Sequence, residues 1–236
     1  SQDGIHNILK ERAEAIARLL LSGVEVVIPN FPGTGVRRPG EGRGRTSRST
    51  EFASLAEMIY TPQIRSHYFV AYMASTDGGW DRTVFWGESC SSPAAEVVVP
   101  HDLKQPSSAE PIGATLATVL AVSTDWPKTV RGIVARGGLV SHRSVLDSPF
   151  VHVPQDSLPI NVFQAGDLPD YWAFFAPKPL RLEGLVDGTN RRVTGPKLET
   201  ALKPVREAYA KGGLEVKEDY SSDADLAKWI IEQLKR

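Results

Sequence analysis

The chain has 236 residues, 41% of them apolar, enough to bury a sizeable core in one α/β domain and too many for wholesale disorder. Its formal charge of −1 gives no overall attraction to nucleic acid or to an anionic membrane, and its apolar runs are too short to span a bilayer, so neither partner is expected. The one cysteine, Cys90, excludes an internal disulfide and argues against a structural zinc site; neither a metal nor another cofactor is expected. No charged-then-apolar leader opens the chain, which leaves the compartment open between a cytoplasmic protein and a secreted or periplasmic one whose signal has been removed.

In chain order, helix-period and strand-like runs alternate, the pattern that builds a parallel sheet covered by helices. Ile5, Ile8, Leu9, Ala13, Ile16, Ala17, Leu19 and Leu20 recur with a helical spacing, and Gly23 ends that helix before the β-branched run 24–28. A loop rich in Gly, Pro and Arg follows over 29–49, then a helix over 55–72 that bends near Pro62. A strand over 83–86 runs into Gly87-Glu88-Ser89-Cys90-Ser91. After a loop over 92–108, the segment 109–122 is an apolar helix, 130–135 a strand, and the turn at Gly137-Gly138 leads to a helix through Leu146. Asp167 or Pro169 opens a helix to Phe175, which Pro177 and Pro179 stop; a strand over 180–185 ends at Asp187-Gly188. Helix 198–211, strand 214–218 and helix 223–234 close the chain. The expected architecture is a single domain over 1–236, α/β in class, with a mostly parallel sheet of about five strands that binds ligands beyond their carboxyl ends.

The turn at Gly87-Glu88-Ser89-Cys90-Ser91 is the most informative motif. A serine at a strained strand exit needs small residues two before and two after it, and glycine and serine occupy those places. Ser89 is therefore the candidate nucleophile. A hydroxyl attacks well only when a base takes its proton and a carboxylate orients that base, so Asp187, at the end of a later strand, is the candidate acid.

With these residues in view, the chain resembles the α/β-hydrolase family, and within it the acetyl xylan esterase-like and dienelactone hydrolase-like members. The resemblance rests on Pro29-Asn-Phe-Pro-Gly-Thr-Gly35, Trp86-Gly-Glu-Ser89, Val134-Ala-Arg-Gly-Gly-Leu-Val-Ser141, and Asp167-Leu-Pro-Asp-Tyr-Trp-Ala-Phe-Phe-Ala-Pro-Lys-Pro-Leu180 leading to Gly184-Leu-Val-Asp187. It implies that Ser89 is the nucleophile and Asp187 the orienting acid. The chain departs from the family in three respects. The family's histidine follows the last strand, here Asp219-Tyr220-Ser221-Ser222, and no histidine lies beyond His152. The insertion 92–108 separates the serine from its helix, which displaces amide donors for an oxyanion. The strands that the family sets before the first one are missing, so the fold is expected to be N-terminally incomplete, with another chain or domain covering the exposed sheet edge.

The base must then come from an unorthodox position, and His101, in the insertion, and His152, in the loop Phe150-Val-His-Val-Pro154, are the candidates. His142 and His67 read as packing or surface residues on helices, and His6 as a solvated one. Glu88 and Cys90 flank Ser89 as candidates to line a substrate site; their plainer readings are a carboxylate bonded to nearby amides and a small buried apolar residue. The loop 33–48 carries five arginines and five glycines without a phosphate-cradle signature, and Arg37 and Arg38 are candidates to bind an acidic sugar, set against a solvated flexible loop. The five tryptophans are scattered and read mostly as core. Two functions are expected: a serine carboxylesterase acting on a small ester or an acylated carbohydrate, or a degenerate hydrolase-fold domain that binds a carbohydrate or a partner protein.

Overall fold

The computed structural model describes residues 5–28, 82–88, 112–122, 129–149, 151, 153, 158 and 166–235. Ser89, Cys90, the loop 33–48 with Arg37 and Arg38, the helix 55–72, the insertion 92–108 with His101, His67 and His152 lie outside the described residues.

The described elements are α1 (Ile5–Glu11), α2 (Ala13–Leu21), β1 (Thr83–Glu88), α3 (Ile112–Val122), β2 (Val130–Arg136), a 3-10 helix (His142–Leu146), α4 (Leu168–Phe175), β3 (Leu180–Glu183), α5 (Gly195–Ala201), α6 (Lys203–Ala208), β4 (Leu214–Lys217) and α7 (Asp223–Lys235). The four strands form one all-parallel sheet in the order β1-β2-β3-β4. The class is therefore α/β, as the alternating periodicities require, but with four described strands in place of five. The run 24–28 carries no ladder pairing among the described residues, and two of its β-branched residues serve packing instead: Val24 and Val26 pack, as Val84 and Trp86 do, against the apolar cluster around Val134, Leu19 and Leu226. β propensity measures how well a side chain fits a half-buried surface, and such a surface does not need to be reached through a ladder.

Two further boundaries differ from expectation. The predicted helix over 198–211 is two helices meeting at Leu202, because Pro204 has no amide hydrogen to continue the ladder and its ring crowds the preceding turn. The segment after Gly138 forms a short 3-10 helix rather than an α-helix, opened by the Ser141 hydroxyl, which accepts from the Arg143 amide. By contrast, Asp167 opens α4 as its sequence announces: its carboxylate accepts from the Leu168 amide at 2.7 Å, while Asp170 accepts from the Asp167 amide at 2.8 Å.

Strand alternation divides the sheet into two faces. Face A carries Phe85, Ile133, Ala135, Leu180 and Leu182 and packs against α3, α4 and α6, with Trp172 and Leu168 at its centre. Face B carries Val84, Trp86 and Val134 and packs against α2 and α7 through Ala15, Leu19, Leu226, Trp229 and Ile230. Burying these side chains supplies the main stabilisation, at about 25 cal/mol per Å² of apolar surface removed from water. α3 is apolar nearly all round because it is enclosed by the sheet and α4; the Trp172 indole donates to Thr118 Oγ1 at 2.9 Å and locks the two helices together.

The contact of β1 with α3 fixes the carboxyl end of β1. A Cβ on Gly87 would collide with the Gly113 carbonyl and come within 2.6 Å of the Ala117 methyl, and a Cβ on Gly113 would collide with the carbonyl of Glu88. Backbone therefore packs on backbone at this crossing, and only glycine fits on both sides.

Candidate functional site

The carboxyl ends of the strands carry two clusters of polar side chains, one on each face. On face B, alternation aims Glu88, Arg136, Arg181 and Glu183 toward the same side, and the parallel register sets Glu88 beside Arg136 and Arg136 beside Glu183. Arg136 Nε donates to Glu183 Oε2 at 2.8 Å and its Nη1 lies 3.2 Å from Glu88 Oε2. Arg12, at the break between α1 and α2, reaches the other oxygen of Glu88 with Nε at 2.6 Å, and the Trp86 indole donates to Glu88 Oε2 at 3.0 Å. Arg181 Nε lies 2.5 Å from Glu183 Oε1, and Arg181 Nη2 is also 2.5 Å from Asp225 Oδ2, which Lys217 shares at the same distance.

The loop after β4 completes this network. The Ser221 amide and hydroxyl both donate to Glu183, at 3.0 and 2.7 Å, and its carbonyl accepts from Arg136 Nη2 at 2.8 Å. Tyr220 lies among three guanidinium groups, those of Arg136, Arg192 and Arg12, at 4.7, 4.9 and 5.9 Å from its ring centre. Burial, then the charge of Glu88, push its phenol up to about 12 against the pull of the three arginines, so the ring stays neutral. Burial opposes the charge of Glu183, yet the Ser221 amide, Arg136, the Ser221 hydroxyl and Arg181 together hold its carboxyl below the ordinary range. The segment 219–222, where the family resemblance expects a histidine, is thus occupied by a tyrosine and a serine built into an ionic network. Glu88 belongs to the same network: buried at 6% exposure, it neutralises arginines rather than bonding the nearby amides that its plainer reading anticipated.

On face A the second cluster is smaller. The loop after β2 and the loop after β3 are joined by paired backbone bonds, Val140 N to Val186 O at 2.8 Å and Val186 N to Gly138 O at 2.9 Å. Beyond them, Asp187 closes a tight turn: its Oδ1 accepts from the Thr189 amide at 2.9 Å, the Thr189 hydroxyl at 2.6 Å and the Arg191 amide at 3.1 Å. Gly188 abuts the backbone of Ser144 and Val145, so the Asp187 turn sits directly against the 3-10 helix.

That 3-10 helix begins at His142, whose side chain is only 1% exposed. Its amide donates to Asp167 Oδ1 at 2.7 Å and its ring Nδ1 lies 3.4 Å from the same oxygen, while the Ser141 hydroxyl donates to Oδ2. Burial works to raise the Asp167 carboxyl, but the His142 side chain, the Ser141 hydroxyl and the amides of His142 and Leu168 outweigh it and hold the group well below the usual carboxylate range. At 3.4 Å the Nδ1 contact is of ion-pair length, and neither ring nitrogen of His142 completes a hydrogen bond. A buried polar atom left this way costs about 1–3 kcal/mol. Of the two roles the sequence suggested for His142, packing or surface, burial leaves packing.

Of the predicted site residues, the structure therefore describes Glu88, at the end of β1, and Asp187, in the turn after β3. What sequence reasoning missed is the set Arg12, Arg136, Arg181, Glu183, Tyr220 and Ser221, and the meeting of His142 with Asp167. A signal existed in Leu180-Arg-Leu-Glu183, where charges alternate with apolar residues, and in Ile133-Val-Ala-Arg136, where a charge ends an apolar strand otherwise patterned for a core. Among the described residues no group of three His, Cys, Asp or Glu side chains is arranged to hold a metal ion, and no helix is long and apolar enough to cross a membrane. No family model, curated protein or solved structure matches the chain.

Proposed function

We propose that the protein is a serine carboxylesterase of α/β-hydrolase type, with Ser89 attacking a small ester, such as an acetyl group on a carbohydrate, and Asp187 as the orienting acid. The observation that carries this reading is the glycine-on-glycine crossing of β1 and α3: Gly87 stands two residues before Ser89, and its lack of a side chain is what a nucleophile turn needs where a helix packs on the strand exit. Asp187, in a turn after β3 at the same end of the sheet, agrees with the acid's usual station two strands along. The chemistry asked of the site is attack by the hydroxyl on the ester carbonyl, with the proton passed through an imidazole to the leaving alkoxide. On this reading a fluorophosphonate probe labels the folded protein, the Ser89→Ala variant stays blank, and p-nitrophenyl acetate is cleaved. Absence of both labelling and cleavage with folded protein overturns it.

A second reading, a degenerate hydrolase-fold domain that binds a carbohydrate or a partner protein, is favoured by one specific observation. Tyr220 and Ser221 are committed to the Glu183–Arg136 network, so the loop after β4 offers structure in place of a base. Binding of acetylated or acidic oligosaccharide, measured by calorimetry on protein that leaves the probe unreacted, is the result that supports this alternative.

A further inference from the structure

We propose that Arg192 anchors a carboxylate-binding site at the carboxyl end of the sheet, its ligand the planar two-oxygen group of a small organic acid or an acidic sugar; the inference does not depend on the esterase reading. Three observations carry it. The first is where the guanidinium donors go. Of the three guanidinium groups around Tyr220, that of Arg136 commits Nε to Glu183, Nη1 to Glu88 and Nη2 to the Ser221 carbonyl. That of Arg12 commits Nε and Nη2 to Glu88 and Nη1 to the Glu11 carbonyl. Arg192 differs: its Nη1 is buried without a hydrogen-bond partner, and the acid it meets, Asp219, stands 3.8 Å from Nε on a side chain that is 89% exposed.

The second observation is how the group is held. The guanidinium lies over the Tyr220 ring, and Nη1 fills the space left open at Gly184, where a Cβ would overlap it and come within 2.6 Å of Tyr220 Cε1. The backbone of Arg192 pairs with Val186 in an antiparallel bridge, flanked by Val193 N to Leu185 O and Asp187 N to Arg191 O, both at 2.9 Å. A side chain fixed by stacking and shape instead of by its donors has given up its freedom in advance and still has hydrogens to offer. The third is place and charge. The hairpin rises from the carboxyl end of β3, where sheets of this kind take their ligands. Glu88 and Glu183 are each already met by two arginines, so neither competes for Arg192. With Nη1 inside and the side chain 31% exposed, Nε and Nη2 are the donors left for a ligand, and that edge of a guanidinium matches the two oxygens of a carboxylate. Asp219 marks the side from which such a group approaches.

The test titrates the protein with sodium D-glucuronate and with sodium succinate, D-glucose serving as the uncharged control. Calorimetry gives the affinity, and NMR follows the Arg192 Nε–Hε resonance. Expected are saturable binding and a shift of that resonance with at least one acid, and neither with glucose. Affinity should fall about 10- to 100-fold in Arg192→Gln and less in Arg192→Lys, which keeps the charge without the fork. Binding of glucuronate alone supports the site and identifies an acidic sugar; binding of succinate, with or without glucuronate, supports it for small organic acids. Binding of neither acid, or unaltered affinity in folded Arg192→Gln, overturns the site and leaves the esterase reading standing. Should Arg192→Gln fail to fold, Asp219→Asn decides: removing an exposed competing carboxylate should tighten binding about twofold or more, and an unchanged or weaker affinity overturns the proposal.

Discussion

On face B, Glu88, Arg136, Glu183 and Arg181 each meet an opposite charge at the carboxyl end of the sheet, and the loop after β4 supplies further hydrogen bonds to them. On face A, at the same end, His142 is as deeply buried and finds only the edge of one carboxylate. The contrast separates two uses of buried polarity. A buried charge with its partners in place holds loops and strands in one arrangement, and losing any member is costly because the survivor stays buried and charged. A buried imidazole whose neighbour is a carboxylate at ion-pair distance, with no completed hydrogen bond, contributes little to holding the fold.

Glu183→Gln should break the contrast most sharply. It leaves Arg136 and Arg181 facing an amide where both had a carboxylate, with a side chain that is 0% exposed. A loss of about 3–5 kcal/mol is expected, read as a lower midpoint in guanidinium unfolding at unchanged slope. If the loss stays under about 1 kcal/mol, the network is ornamental.

Asp167→Ala comes next. It removes the N-cap of α4 and the acceptor for the Ser141 hydroxyl and the His142 amide, for an expected cost of about 2 kcal/mol in the same measurement. Asp167→Asn, which can still cap, should recover more than half of it.

Acid should weaken both clusters. Asp225, Glu183 and Asp167 all have folded-state carboxyl groups held below their ordinary values, Asp225 to about 2 from 3.8 through its hydrogen bonds to Lys217 and Arg181. A carboxyl that is more acidic folded than unfolded contributes stability above its unfolded value and loses it as pH falls through the folded one. Stability should therefore be flat from neutrality to about pH 5 and then decline toward pH 2 as these carboxyl groups take up protons. Asp225→Asn should flatten the decline only slightly, by less than about 1 kcal/mol, because the group is nearly half exposed and its pairs are screened. An unfolding free energy that rises below pH 4 would contradict the assignment of these pairs.

His142→Leu sharpens the comparison from the other side. Exchanging an imidazole with stranded nitrogens for an apolar group of similar size should change stability by less than about 1 kcal/mol, in either direction. Thermal unfolding measures this directly, and a loss comparable with that from Glu183→Gln would mean that His142 is a structural member of a network in its own right.

Much of this molecule was legible before any coordinates. The helical spacing of Ile16, Leu19 and Leu20, the β-branched strands and the signal Asp167-Leu-Pro each report a local preference, and a local preference survives into the fold unless packing overrides it. Packing did override at 24–28, where a strand-like run packs without ladder pairing among the described residues, and Pro204 divided a helix that hydrophobic spacing alone would have continued. Gly87 announced a tight strand exit, but its partner Gly113 lies 26 positions further on, and no spacing rule connects the two.

Composition and periodicity thus sufficed for the α/β class and the parallel sheet, because both follow from which faces of each segment are apolar. The pairing of Arg136 with residues 48 positions before it and 47 after it, the lodging of Tyr220 among three arginines, and the arrival of His142 at Asp167 emerged only from the assembled sheet. Strand register and loop closure decide which distant side chains become neighbours, and neither is encoded in the residues adjacent to them.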